Sequence, residues 1–191
     1  MRLAAHELQD LNELALSCVN SITKMGLFIN QAEDPELKAM IMRHFPLHIR
    51  DYNKKVEYLQ KAEGSQAAFP VPELNQNLEN YTRTPAPPAP PVTPRTDART
   101  LNDREIAVGY LLNLKRAGRE YAWAAMEMTH PEVRAFLEDA FRMSSHHAHD
   151  VWQYMAKKGW YPVHPAPQVD QQAIAGMYNL VPEQASPNVV M

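Results

Sequence analysis

The residues of this chain that could bind a metal ion or act as general acids and bases are histidines and aspartates on predicted helices. The stretch "SSHHAHD" places His146, His147, His149 and Asp150 within five positions. Imidazoles and carboxylates are common transition-metal ligands and common general acids and bases. Whether they form a site depends on which faces of their helices they occupy.

Helical spacing divides this cluster. At 100° per residue, His147 falls on the apolar stripe of its segment, while His146, His149 and Asp150 fall on the far or flanking side. The stripe consists of Val133, Leu137, Ala140, Ser144, Ala148, Val151 and Met155. We therefore expect one histidine to point inward and the pair His146 and His149 to form an exposed ridge. The cluster does not predict a three-ligand site on one helix.

A second set of polar residues lies on the core-facing stripe of an earlier segment. His44, His48 and Asp51 share that stripe with apolar residues, and polar groups that are buried without partners are costly. Under the internal repeat described below, Asp51 is the counterpart of His147. We therefore predict a hydrogen bond or ion pair between Asp51 and His147 near the middle of the molecule.

A metal site is the alternative interpretation of these residues. Dinuclear carboxylate centres of ferritin-like bundles need an inward glutamate from each of two helices. Glu13, Glu120 and Glu127 project away from their apolar stripes, which leaves only Glu7, near an end. A mononuclear site for one transition-metal ion stays open. Its candidate ligands are His44, His48, Asp51 and His147. The favoured interpretation is a buried polar cluster with no metal, cofactor or catalytic residues.

Four long segments with a 3.6-residue apolar period must position these side chains. The first helical hairpin is predicted over residues 5–62 and the second over residues 101–159. Pro35 and Pro131 each open a helix after a short turn, and Pro46 is expected to kink the helix that contains it. Residues 63–100 form a proline-rich connector, and residues 160–191 are expected to be an irregular tail.

The two hairpins are related by a shift of 96 positions. The shift lays "DPELKAMIMRHF" over "HPEVRAFLEDAF" and also matches Tyr58 with Tyr154. Such matches predict a duplicated αα-hairpin. Because the connector is long enough to run the length of a bundle, it favours a crossover in which the second and third helices are parallel. The sequence therefore predicts an all-α, ferritin-like four-helix bundle in a single domain of residues 1–191.

The bulk composition excludes several function classes. The chain has 191 residues, a net charge of −3 and one cysteine. A nucleic-acid-binding protein would carry a basic excess, and a disulfide scaffold would need more cysteines. No stretch has the pattern of a signal peptide or membrane span. Cys18 is interpreted as a small core residue. Packing between helices is the role expected of the aromatic residues Tyr110, Tyr121, Trp123, Trp152 and Tyr154.

Three motifs follow one another in the second hairpin: "LNDREIA" at the start of the third helix, "HPEVR" at the hairpin and "YMAKKGWYPV" at the end. On these motifs, Leu101 to Val163 resembles the Coat F domain of spore coat proteins. The resemblance implies a ferritin-like bundle in an endospore-forming bacterium. The implied location is the spore coat, reached from the mother-cell cytoplasm. The family brings no established catalytic residues.

The resemblance implies a structural protein that is not an enzyme. Its expected partners are other spore coat proteins, with a homodimer as an open alternative, and neither nucleic acid nor a membrane span is expected. The working parts would be surfaces, including the tail and the His146 and His149 ridge. The rival function is a metal-binding or redox bundle that uses the inward histidines and Asp51.

Overall fold

The described residues of the chain fold into four long helices and one short helix. The computed structural model describes residues 2–64, 67–77 and 89–182. The helices are α1 (Ala5–Gln31), α2 (Pro35–Gln60), α3 (Asp103–Glu127), α4 (Pro131–Lys157) and α5 (Gln168–Ala175). No strand occurs in the described ranges, so the predicted all-α class is confirmed. None of the helices in these ranges is long and apolar enough to cross a membrane.

Local signals in the sequence set the helix ends. The Asp34 side chain accepts hydrogen bonds from the first free backbone N–H groups of α2, and Pro35 opens that helix. After α4, Gly159 adopts the left-handed conformation, with φ of 71°. That conformation is easy only for glycine, so the helix ends there. Pro46 lies inside α2, which continues through it without a break.

Contacts between helices show how the two hairpins pack. The Gln31 side chain at the end of α1 accepts a hydrogen bond from the Leu101 backbone at the start of α3. At the other end, His6 contacts the carbonyl oxygen of Glu127, so α1 and α3 are antiparallel. Since α1 and α2 form a hairpin, α2 and α3 run in the same direction. The predicted crossover is therefore confirmed, and it is of the kind that ferritin-like bundles carry.

The connector after α2 runs as a strap along α4. Its described residues contact α4 at successive heights. From one end to the other the pairs are Phe69 with Phe136, Pro72 with His146, Asn75 with Gln153, and Ala89 with Gly159. The strap then reaches the start of α3, where Arg104 donates to the Pro90 carbonyl oxygen. Residues 84–88 of the predicted proline-rich run lie outside the described ranges.

The turn between α3 and α4 is held by a side chain from the other hairpin. Glu7, buried at 1 % exposure, accepts hydrogen bonds from the backbone N–H groups of Thr129 (2.7 Å) and His130 (2.9 Å) and from the Thr129 hydroxyl (2.8 Å). Burial by itself would raise the pKa of Glu7, but these bonds and one from the Ala4 backbone outweigh it and lower the pKa to about 2.

A carboxylate of the second hairpin likewise holds the turn between α1 and α2 of the first hairpin. Asp103 accepts hydrogen bonds from the backbone N–H groups of Glu33 (2.9 Å) and Asp34 (3.0 Å). Asp103 lies 96 positions after Glu7 and is its repeat counterpart, and the two turns whose N–H groups donate to these carboxylates are related by the same shift. This reciprocity supports the duplication inferred from the sequence.

The interior has apolar ends and a polar middle. One apolar cluster, which includes Leu14, Tyr58 and Leu137, fills the end of the bundle at the α3–α4 turn. A second cluster, which includes Met25 and Ile41, fills the opposite end. Between them the helices bury polar side chains. These are Cys18, Ser21, His44, His48, Asp51, Lys55, Ser144 and His147. The bundle therefore encloses a polar layer at mid-height.

The tail differs from the irregular segment predicted from the sequence. Residues 168–175 form α5, a short helix with no buried residue. Alanine and glutamine, which favour helices intrinsically, make up more than half of it, and this local preference acts without packing. Residues 183–191 of the predicted tail lie outside the described ranges.

Candidate functional site

The part of the polar layer nearer the α1–α2 turn is a histidine cluster. Nε2 of His44 lies 3.0 Å from an Asp150 carboxylate oxygen, and Nδ1 lies 3.0 Å from the Tyr110 hydroxyl. Since a carboxylate only accepts, Nε2 of neutral His44 donates to Asp150 and Nδ1 accepts from Tyr110. The His147 ring stacks on His44 at 3.7 Å between centroids. Nδ1 of His147 lies 3.2 Å from Nε2 of His48.

Burial keeps these imidazoles neutral. It lowers the pKa of His48 to about 4, although the nearby Asp51 opposes the shift. It lowers the pKa of His147 further, because His44 and His48 would repel a charge there. The pKa of His44 is also lowered by burial, in spite of its bond to Asp150. Close stacking of His44 on His147 is compatible with neutral rings and costly for charged ones.

The part of the polar layer nearer the α3–α4 turn is a charged cluster around Lys55. Lys55 and Asp51 form an ion pair in which both side chains are fully buried. The second oxygen of Asp51 accepts hydrogen bonds from the Tyr121 hydroxyl (2.7 Å) and the Cys18 thiol (3.1 Å). The Lys55 ammonium also lies over the rings of Tyr121, 4.6 Å from the centroid, and Phe136, at 5.3 Å.

The environment makes the donors of this Lys55 cluster poor acids. Burial raises the pKa of the Cys18 thiol to about 12, with Lys55 opposing the shift and Asp51 adding to it. Burial and then the charge of Asp51 raise the pKa of Tyr121 well above its ordinary value. A reactive cysteine needs a lowered pKa and access to solvent, and Cys18 has neither. The arrangement holds the ion pair and offers no nucleophile.

The predicted bond between Asp51 and His147 is wrong. Asp51 is occupied by Lys55, Tyr121 and Cys18, whereas His147 pairs with His48. Lys55 lies one helical turn after Asp51 and reaches back along its own helix, which gives the carboxylate a closer and oppositely charged partner. The prediction failed because it considered only the pseudo-symmetric partner across the bundle.

The four candidate metal ligands do not converge as one donor set. Both nitrogens of His44 and both oxygens of Asp51 already have partners. Only His48 and His147 direct nitrogens at each other. In the described parts of the chain, no group of three or more histidine, cysteine, aspartate or glutamate residues is arranged to hold a metal ion.

The expected ridge of His146 and His149 is not an open surface. Both residues are half-buried, because the strap lies over this side of α4. Nδ1 of His146 is 2.6 Å from the Pro72 carbonyl oxygen, and His149 contacts Gln153, which also bonds to Asn75. The helix pattern placed the two histidines away from the core correctly. It could not show that the connector covers them.

The aromatic residues expected to pack between helices divide into two groups. Tyr110, Tyr121 and Tyr154 are buried, and Trp152 is half-buried. Trp123 is 77 % exposed and is not a packing residue of the bundle. Sequence reasoning missed the roles of the Tyr110 and Tyr121 hydroxyls as partners of the buried histidine and aspartate. It also missed Lys55, because a charged side chain is rarely expected in a protein core.

Comparisons with known proteins point to one family. The family model described as the Coat F domain matches residues 102–164. The spore coat protein F-like protein YhcQ of Bacillus subtilis is 27% identical over 180 residues, covering 91% of this chain and 78% of YhcQ. The spore coat protein F-like protein YraD of the same organism is 38% identical over 79 residues, covering 39% of this chain and 76% of YraD.

A solved structure shares the fold. A crystal structure of a provisionally assigned spore coat protein from Bacillus halodurans C-125 matches with a TM-score of 0.62 and 16% identity, covering 87% of this chain and 95% of that chain. The match with YhcQ extends the relationship to the first hairpin, and the match with YraD reaches 38% identity. The chain therefore belongs to the Coat F family of spore coat protein F-like proteins.

Proposed function

We propose that this protein is a structural component of the bacterial endospore coat and acts through protein–protein contacts of its helical bundle. The proposal rests on the positions of two kinds of side chain, the polar groups that could react and the large apolar groups. The described histidine, cysteine and acidic groups at mid-bundle bond to one another in the core. Large apolar side chains are exposed on the helices and tail instead. Examples are Trp123 at 77 %, Tyr178 at 74 % and Leu180 at 101 %.

The proposal includes a location and a class of partner. Membership of the Coat F family supports a place in the spore coat, with other coat proteins as partners. We expect synthesis in the mother-cell cytoplasm and no nucleic-acid partner. On this proposal the protein is not an enzyme and needs no cofactor, and its buried polar residues specify the packing of the bundle.

A localisation experiment tests the proposed function. A fluorescent-protein fusion of the full chain, expressed in sporulating Bacillus subtilis, should form a ring around the developing spore and remain with purified coats. A fusion to an unrelated helical bundle of similar size is the control for passive trapping. Diffuse fluorescence in the mother cell, with none in purified coats, would overturn the proposal.

A further inference from the structure

The outer surface between α1 and α3 combines a groove with a protruding aromatic side chain. The groove, of about 660 Å³, lies between Leu16 and Asn20 on α1 and Arg119 and Trp123 on α3. Leu16 is 58 % exposed and Trp123 is 77 % exposed. A tryptophan of this exposure beside an apolar groove is typical of an interface anchor. We name this surface the α1–α3 face.

The face carries opposite charges on its two helices. The α1 side of the groove presents Asp10 and Glu13, and the α3 side presents Arg116 and Arg119. Arg116 is already paired within α3 by Glu120, which leaves Arg119 as the basic group for an external partner. A surface that is acidic along one edge and basic along the other is complementary to itself after a two-fold rotation.

The helix directions fix which residues such a rotation brings together. Within one chain, α1 and α3 are antiparallel, with Ser17 beside Arg116 and Ser21 beside Asn113. A two-fold axis parallel to the helices places α1 of one copy over α3 of the other and keeps each residue at the same height. Glu13 then lies within about one helical turn of Arg119 and Trp123 of the second copy.

The size of the face is sufficient for a specific dimer. Two adjacent helices of this length present a surface of about 40 by 20 Å, or about 800 Å², which is what one partner of a standard interface buries. Leu112, which is 59 % exposed, lies three helical turns before Trp123 on the same side of α3 and extends the apolar strip. Trp123 of each copy can enter the groove of the other.

We infer that the α1–α3 face binds a second copy of this chain, as a two-fold dimer anchored by Trp123 and by Glu13–Arg119 pairs. The inference rests on the proposed function and names the first partner of that assembly, because a self-complementary face makes the dimer the building unit. Another coat protein on this face is the competing outcome of the test.

Sedimentation-equilibrium ultracentrifugation of the full chain tests the inference. The wild-type protein should be a dimer at micromolar concentration, and Trp123→Ala should weaken dimerisation about 30-fold or more, as expected for an interface anchor. Met42→Ala is the matched control, because Met42 is 55 % exposed on α2, outside the α1–α3 face. Circular dichroism should show that both variants remain folded.

A charge exchange tests the arrangement of the two copies. Glu13→Arg and Arg119→Glu should each shift the protein towards monomer, and the double variant should restore the dimer. A wild-type monomer at 100 µM, a dimer unaffected by Trp123→Ala, or a double variant without restoration would overturn the inference. The localisation experiment is independent of these results. A monomer that still reaches the coat refutes only the dimer, and a dimer absent from the coat refutes only the proposed function.

Discussion

Acid should unfold this protein through its buried histidine cluster. His44, His48 and His147 are neutral in the folded state because burial lowers each pKa below the ordinary value of 6.5. In the unfolded chain they bind protons as the pH falls through 6.5. Below that pH the unfolded state therefore holds more protons, and the free energy of unfolding must decrease. The stability is present above pH 6.5 and is lost towards the folded pKa values.

The magnitude follows from the difference in proton binding. For a histidine that stays neutral when folded, lowering the pH from 8 to 5.5 costs about 1.4 kcal/mol. His48 and His147 together give about 3 kcal/mol, a large part of the stability of a typical domain, and His44, whose pKa burial also lowers, adds to the loss in the same direction. The range ends at pH 5.5 because Glu7 and Asp34, whose pKa values are about 2 in the folded state, add their own losses below it.

Urea unfolding at a series of pH values, followed by circular dichroism, measures this loss directly. His147→Asn should reduce the loss between pH 8 and 5.5 by about 1.4 kcal/mol, because one titrating group is removed. His164→Gln is the control, since His164 is exposed and its replacement should leave the loss unchanged. A wild-type loss of less than about 1 kcal/mol over this range would show that the cluster is not held neutral and would refute the reasoning.

The remaining predictions concern the turns, the ion pair, the thiol and metal content. Glu7→Gln should lower the free energy of unfolding by about 1–3 kcal/mol, because it weakens charge-assisted bonds to the α3–α4 turn; urea unfolding at pH 7 checks this, and no measurable change would contradict it. Lys55→Met should cost about 3–5 kcal/mol, because it leaves the buried Asp51 carboxylate unpaired. Adding Asp51→Asn should recover part of that loss in the same assay, and a double variant no more stable than Lys55→Met would argue against the ion pair. Cys18 should react with a thiol reagent such as DTNB only when urea unfolds the chain, so fast labelling of folded protein would show that the core is open. Elemental mass spectrometry of untagged protein purified without chelators should find no stoichiometric transition metal. A near-stoichiometric metal would favour the rival metal-binding function.

Much of the fold could be read from the sequence because its signals are local. Pro35, Pro131 and Gly159 act on the backbone where they stand, so the predicted helix ends agree closely with the observed ones. The apolar period likewise placed His44 and His147 inward. These features depend on a residue and its near neighbours along the chain, which is the information that spacing carries.

The pairing inside the core could not be read in the same way. The partners of Asp51 come from three helices, and their choice depends on the relative heights of Cys18 and Tyr121. Those heights are set by the packing of α1 and α3, which helical spacing within one segment does not define. The covering of His146 depends on the path of the strap, which carries no periodic pattern. Helical spacing therefore predicts which side chains are buried, but it does not predict which of them pair across helices.

The reciprocal bonds of Glu7 and Asp103 have a consequence for how the protein unfolds. Each carboxylate holds the turn of the opposite hairpin, so detaching one hairpin removes the carboxylate acceptors of both turns at once. Neither hairpin is then a separate cooperative unit, although each is continuous in sequence. The bundle should lose its helices in a single transition, and amide hydrogens in the two turns should exchange at the same rate as those in the core.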